Sequence, residues 1–201
     1  MNMTNRVLIA FSLILVLSSG DLEASPYAGK QAWLKAVPKK YQKRAEFSWI
    51  EADEGLPNVL LIGDSISMRY TTGVQKALKG VANVYRAPDN CRSTRQTLEH
   101  IDTYLGDVNW DVIHFNWGIH DLTHLNADGK AAAPPEGRHQ VPFKTYRANL
   151  GKLITRLKAT RAKLIWATTT PIGSKSERLG FRRDRDVVAF NVAAFEAVSS
   201  R

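Results

Sequence analysis

The feature that most constrains the fold is a regular alternation of short apolar runs with longer helical patterns. The first run, residues 58–63, is apolar almost throughout, as expected of a strand whose two faces are both covered. Further strands are predicted at 81–85, 110–116 and 162–168, and helices at 67–78, 94–105, 143–158 and 187–198. Residues 121–141, rich in Ala, Gly, Pro and His, are predicted to be a loop. This order predicts a three-layer α/β/α domain with a mostly parallel sheet.

The chain is predicted to have two further parts before this domain. Arg6 precedes an apolar run at 7–17 that is about half of the roughly 20 residues needed to span a bilayer, and small residues follow. This pattern indicates a secretory signal at 1–24, cleaved after Gly20 or Ala24, and an uncleaved membrane anchor is the alternative. We therefore expect a secreted or periplasmic protein with no stable membrane insertion after cleavage. Residues 25–56 are predicted to be a helical extension, and the domain proper to occupy 57–201.

Charge and cysteine content narrow the possible partners. The net charge is +9, but the Lys and Arg clusters are not interleaved with stacking aromatic residues, so no nucleic-acid partner is expected. Cys91 is the only cysteine and cannot form an internal disulfide; it is either buried or paired with another chain. The sequence has no His-rich or Cys-rich ligand spacing, so no metal or other cofactor is expected.

Candidate chemistry begins where the first predicted strand ends. Gly63, Asp64 and Ser65 follow that strand and lead into a helix. This places Ser65 at a helix N-terminus, where free N–H groups and the helix dipole favour a developing oxyanion. Gly63 allows a sharp turn. The alternative interpretation is that Asp64 and Ser65 only cap the helix.

A second group of polar residues follows the third strand. With a period of two, His114 and Asn116 point to one side of the sheet. The strand then runs into Gly-Ile-His-Asp at 118–121, so His120 and Asp121 are expected at the same edge of the sheet as Ser65.

These blocks resemble those of the SGNH (GDSL-type) hydrolases, which are lipases and esterases with a flavodoxin-like sheet. Val-Leu-Leu-Ile-Gly-Asp-Ser-Ile-Ser at 59–67 is similar to the first block of that family, and Gly-Ile-His-Asp at 118–121 stands where the family has Gly-x-Asn-Asp. Ala-Thr-Thr-Thr-Pro at 167–171 resembles the strand end that follows. The likeness extends over about 57–199. It implies a serine ester hydrolase that needs no cofactor and acts on a small-molecule or polysaccharide ester.

The resemblance also implies roles for individual residues. Ser65 would be the nucleophile and its N–H an oxyanion donor. The second donor of the family is the N–H of a glycine, but the matching stretch 88–94 has none, which leaves Cys91 and Arg92 as candidates. His120 replaces the asparagine that supplies the third donor; a neutral imidazole can donate one hydrogen bond, although His120 could also be an ordinary loop histidine. Asn116 is either a fallback donor or a core amide.

The catalytic base is the last element that the resemblance implies. In the family it is the histidine of an Asp-x-x-His block after the fifth strand. The one such block here, Asp121 to His124, lies directly after the third strand, and we treat it as an alternative base. We expect the chain to stop before the family's block and to lack the last strand and helix. The predicted function is hydrolysis of a carboxylic ester, such as an O-acetyl group on a carbohydrate. The alternatives are a non-catalytic carbohydrate- or envelope-binding protein and an inactive fragment.

Overall fold

The computed structural model of the chain describes residues 25–173 and 181–200. The predicted signal at 1–24 lies outside this range. The helices are α1 (Lys30–Ala36), a 3-10 turn (Ala45–Phe47), α2 (Ser65–Ala77), α3 (Thr94–Leu105), α4 (Phe143–Lys158) and α5 (Asp184–Ser199). The strands are β1 (Asn58–Ile62), β2 (Asn83–Arg86), β3 (Val112–Phe115), β4 (His124–Leu125), β5 (Arg138–His139) and β6 (Lys163–Trp166).

A four-stranded sheet forms the middle layer. Its order is β2-β1-β3-β6, and every neighbouring pair is parallel. This is the strand order of flavodoxin-like folds, in which the strand order reverses between β1 and β3. The predicted three-layer α/β/α architecture with a mostly parallel sheet is confirmed.

The larger core lies between the sheet and α3, α4 and α5. Leu60 and Ile62 of β1 and Ile113 and Phe115 of β3 are fully buried there. Val112 and His114, which alternate with them, are only partly buried, so the predicted period of two in β3 is confirmed. α3 and α4 match their predicted limits, because each carries an uninterrupted apolar face.

The opposite face of the sheet is covered by α2. Val59, Leu61 and Val84 form a smaller cluster against this helix. Beyond α2 the face opens into an apolar groove that reaches β6, the edge strand, where Ile165 is 43% exposed. Just beyond the carboxyl ends of β1 and β3, Ser65 is exposed and His120 is half-buried.

The segment before β1 belongs to the same core. Within the predicted helical extension at 25–56, α1 is the one regular α-helix. The Tyr27 hydroxyl donates to the carbonyl of Tyr104 (2.8 Å), and Trp33 Nε1 donates to the carbonyl of Phe47 (2.7 Å). Trp33 and Phe47 are almost completely buried, so this segment closes one side of the domain.

Residues 121–141 differ from the predicted loop. β4 and β5 form a short antiparallel hairpin in which His124 faces His139. Strands of two residues carry no periodic pattern, which is why the sequence does not predict them. Within 25–173 and 181–200, no helix is long and apolar enough to cross a membrane.

Candidate active site

The candidate site lies where β1 and β3 end side by side. Ile62 and Phe115, the last residues of these strands, are paired in the parallel register. The segments that follow, 63–65 and 116–121, therefore leave the sheet at neighbouring points. Open α/β sheets bind ligands in the crevice at such a point.

Ser65 is the first residue of α2 and is exposed. The helix is capped by Asp64, whose Oδ1 accepts a hydrogen bond from the N–H of Ile66 (2.8 Å). Asp64 thus performs the capping, and the Ser65 hydroxyl forms no hydrogen bond with any described residue. The Ser65 N–H belongs to the first turn, whose N–H groups lack partners within the helix. Both groups of Ser65 are available to a ligand.

Gly63 lets the chain pass close to α2. A Cβ at this position would lie 3.0 Å from Ser67 Cβ and 3.1 Å from Ser67 Oγ, while that hydroxyl donates to the carbonyl of Asp64 (2.7 Å). A side chain at residue 63 would therefore disturb the turn that presents Ser65. Its role is steric.

Asp64 itself is almost completely buried, and its Oδ2 has no hydrogen-bond partner. Burial raises the pKa of this carboxyl, and the guanidinium groups of Arg182 and Arg86 oppose that shift. Asp64 therefore caps α2 one residue before the exposed Ser65, and its burial disfavours the charged form of the carboxyl.

The loop after β3 is held rigidly. A Cβ on Gly118 would collide with the hydroxyl of Thr169, so the loop needs glycine there. The Asp121 carboxylate is fully buried and accepts hydrogen bonds from the N–H (3.0 Å) and hydroxyl (2.5 Å) of Thr94 at the start of α3. Burial raises the pKa of Asp121 to about 7, despite these hydrogen bonds. Asp121 fixes the position of its neighbour, His120.

His120 has the properties that a neutral donor needs. Its imidazole is partly buried and forms no hydrogen bond with any described residue. Burial, together with the positive charges of Arg182 and Arg92, lowers the pKa of His120 to about 4. The ring is thus neutral at pH 7 and keeps one N–H for a ligand. The charge of Arg182 lowers the pKa of both Asp64 and His120, so the Ser65 turn and the His120 loop face the same guanidinium.

Three predicted oxyanion donors are wrong, because their N–H groups are already used. The N–H of Cys91 donates to the carbonyl of Gly63 (3.3 Å), and that of Arg92 to Oδ1 of Asn90 (3.1 Å). Asn116 Nδ2 donates to the carbonyl of Ala167 (2.6 Å), so this residue is a core amide. The Cys91 thiol is completely buried, which raises its pKa to about 12 and leaves it unreactive.

The alternative base, His124, does not form the expected pair with Asp121. No hydrogen bond or ion pair joins Asp121 to His124 among the described residues, because the Asp121 carboxylate is bound to Thr94. His124 instead lies beside His139, with ring centroids 4.5 Å apart, and His139 Nε2 is 3.3 Å from Asp186 Oδ2. The sequence does not reveal this group, since its members come from two short strands and a distant helix.

Comparison with known proteins identifies the fold. Neither a protein-family model nor a curated protein matches the sequence. An acetyl xylan esterase structure is similar with a TM-score of 0.54 and 18% identity, over 70% of this chain and 71% of that one. A lipase/acylhydrolase from Enterococcus faecalis has a TM-score of 0.52 and 18% identity, over 70% of each chain. A GDSL-like lipase from Bacteroides thetaiotaomicron has a TM-score of 0.52 and 12% identity, over 79% of this chain and 71% of that one.

Proposed function

Because the chain has the fold of the SGNH (GDSL-type) hydrolases, we propose that it hydrolyses carboxylic esters with Ser65 as the nucleophile. One observation carries the proposal: Ser65 is exposed at the N-terminus of α2, at the carboxyl edge of the sheet, with its hydroxyl and N–H both free for a ligand. A second residue, neutral His120, leaves the adjacent strand at the same edge.

The proposed reaction has two steps. Ser65 Oγ attacks the ester carbonyl carbon, the alcohol departs, and an acyl-Ser65 intermediate forms. Water then attacks that acyl group and releases the acid. The N–H of Ser65 and the imidazole N–H of His120 would donate to the oxyanion in both steps. Removing one such donor typically lowers the rate by about 10²- to 10³-fold.

No described side chain accepts a hydrogen bond from the Ser65 hydroxyl, so none of the observed contacts supplies a base for this serine. Without a base, binding and oxyanion stabilisation alone leave an acceleration of about 10³- to 10⁴-fold over water. We therefore expect the 201-residue chain to react measurably with activated esters such as p-nitrophenyl acetate, but slowly.

For the natural substrate we propose a short acyl group, such as acetyl, on a carbohydrate outside the cytoplasm. The signal predicted at 1–24 favours this choice, and one similar structure is an acetyl xylan esterase. Arg92 and Arg182 beside His120 would favour substrates with negative charge near the ester.

Hydrolysis of p-nitrophenyl acetate tests the proposal. Ser65→Ala should abolish formation of the acyl-enzyme and the p-nitrophenol release that accompanies it, whereas Ser48→Ala, an exposed serine at the end of the 3-10 turn, should leave both unchanged. Acetyl esters should react faster than octanoyl esters. An unchanged rate in folded Ser65→Ala would contradict the proposal.

A second candidate function is binding of acetylated carbohydrate without hydrolysis. It is favoured by the absence of a pairing between Asp121 and His124 in the described chain. In that case acetylated xylan should bind equally to the natural chain and to Ser65→Ala, and neither should release acetate.

A further inference from the structure

We propose that His124, His139 and Asp186 form a binding site for one divalent transition-metal ion, with Zn²⁺ as the best fit. The three donor atoms lie within 4.8 Å of one another. The site is separate from Ser65 and does not depend on the proposed esterase activity.

The three side chains come from β4, β5 and α5. The hairpin of β4 and β5 pairs His124 with His139, which places the two imidazoles side by side. Asp186 lies in the first turn of α5 and directs Oδ2 at His139 Nε2. These residues thus connect the hairpin to the helix.

An unsatisfied atom points to a missing ligand. His124 is only 6% exposed, and its buried Nδ1 has no hydrogen-bond partner. A buried polar atom without a partner is costly, and buried polar groups in native proteins are nearly always satisfied. A buried imidazole nitrogen without a protein partner can serve as a metal ligand.

The distances suit a tetrahedral ion. With bonds of about 2.0 to 2.2 Å, donors around Zn²⁺ lie roughly 3.3 to 3.5 Å apart. His139 Nε2 and Asp186 Oδ2, at 3.3 Å, already have this separation. For all three donors to reach this separation, His124 has to approach by on the order of 1 Å. Two imidazoles and one carboxylate form a common zinc donor set, with water in the fourth position.

The surroundings hold the donors in place. Phe190 is buried and packs edge-on against the His139 ring at 5.2 Å, which restricts its rotation. The other oxygen of Asp186, Oδ1, lies 3.8 Å from Arg185 Nε. The positive charges of Arg185 and of Arg183, which lies close enough to lower the pKa of His124, repel a divalent cation and weaken its binding. We therefore expect an affinity of about 1 to 10 μM rather than that of a four-ligand structural site.

A bound ion would stabilise the wall of the candidate active site. The hairpin follows Thr123, whose hydroxyl accepts a hydrogen bond from Arg182 Nε (2.9 Å), and Arg182 precedes α5. Joining hairpin and helix through a metal would fix Arg182, which faces both Asp64 and His120. The role assigned to the ion is structural.

Zinc titration of the chelator-treated full chain tests the site. Calorimetry should give one equivalent of Zn²⁺, and Co²⁺ should produce the visible absorption of a tetrahedral centre. His124→Gln, His139→Gln and Asp186→Asn should each weaken binding at least tenfold, while His100→Gln, on the exposed face of α3, should not. Asp186→Asn carries the test if a histidine variant does not fold.

Thermal unfolding gives an independent readout. Zinc at about 100 times its Kd should raise the midpoint of the natural chain by several degrees and leave that of Asp186→Asn unchanged. Folded natural chain that binds no zinc at millimolar concentration would overturn the proposal. So would one-to-one binding that persists when all three residues are replaced.

Discussion

Replacing Asp121 by Asn should change how stability depends on pH. The carboxyl is fully buried and its pKa is raised from 3.8 to about 7, mainly by burial. Between these values the folded protein holds a proton that the unfolded chain has released. Stability is therefore present at low pH and is lost as pH rises through this window.

The size of the effect follows from the shift. About three pKa units at about 1.4 kcal/mol each give ~4 kcal/mol, of which ~2.5 kcal/mol falls between pH 5 and pH 8. Asn resembles the protonated carboxyl and does not titrate. It should match the natural chain near pH 4 and exceed its free energy of unfolding by a few kcal/mol at pH 8.

Urea unfolding across this range measures the difference directly, because other titrating groups cancel between the two proteins. Asp128→Asn, which removes an exposed loop carboxylate, serves as the control for the loss of one charge. A constant difference between Asp121→Asn and the natural chain from pH 5 to pH 8 would refute the reasoning about burial.

Two further pairs of substitutions address the turn and the oxyanion donor. Gly63→Ala should destabilise the protein by about 1 to 3 kcal/mol in urea unfolding, because the added Cβ meets Ser67. Gly73→Ala, which has open space around it in α2, should stabilise the protein by ~0.5 to 1 kcal/mol. Equal effects of the two substitutions would argue against a steric role for Gly63. His120→Ala should slow acylation by p-nitrophenyl acetate by about 10²-fold or more, and His120→Asn, which restores an amide donor, should retain a rate within about tenfold of the natural one. An undiminished rate in His120→Ala would exclude the imidazole as a donor.

The sequence predicts the parts of the fold that depend on local pattern. β1, α3 and α4 are correctly predicted because their apolar residues follow one period over the whole element. The β4–β5 hairpin is missed because each strand has only two residues. The placement of Ser65 at a helix start follows from the same local pattern.

Hydrogen bonds between distant segments are not visible in the sequence. The N–H of Cys91 is used by Gly63, and the amide of Asn116 by Ala167, so neither can serve an oxyanion. The proximity of His124 and His139 to Asp186 likewise requires the fold, since three separate elements supply them. These contacts decide which polar residues remain free, and the fold leaves Ser65 and His120 among them.

Mass spectrometry after a short reaction with p-nitrophenyl acetate tests the central claim most directly. The account predicts an acetyl group, adding about 42 Da, on the peptide that carries Ser65, formed with the release of p-nitrophenol and absent in Ser65→Ala. Ester hydrolysis at the natural rate with no acyl group on Ser65, or with the acyl group on another residue, would contradict it.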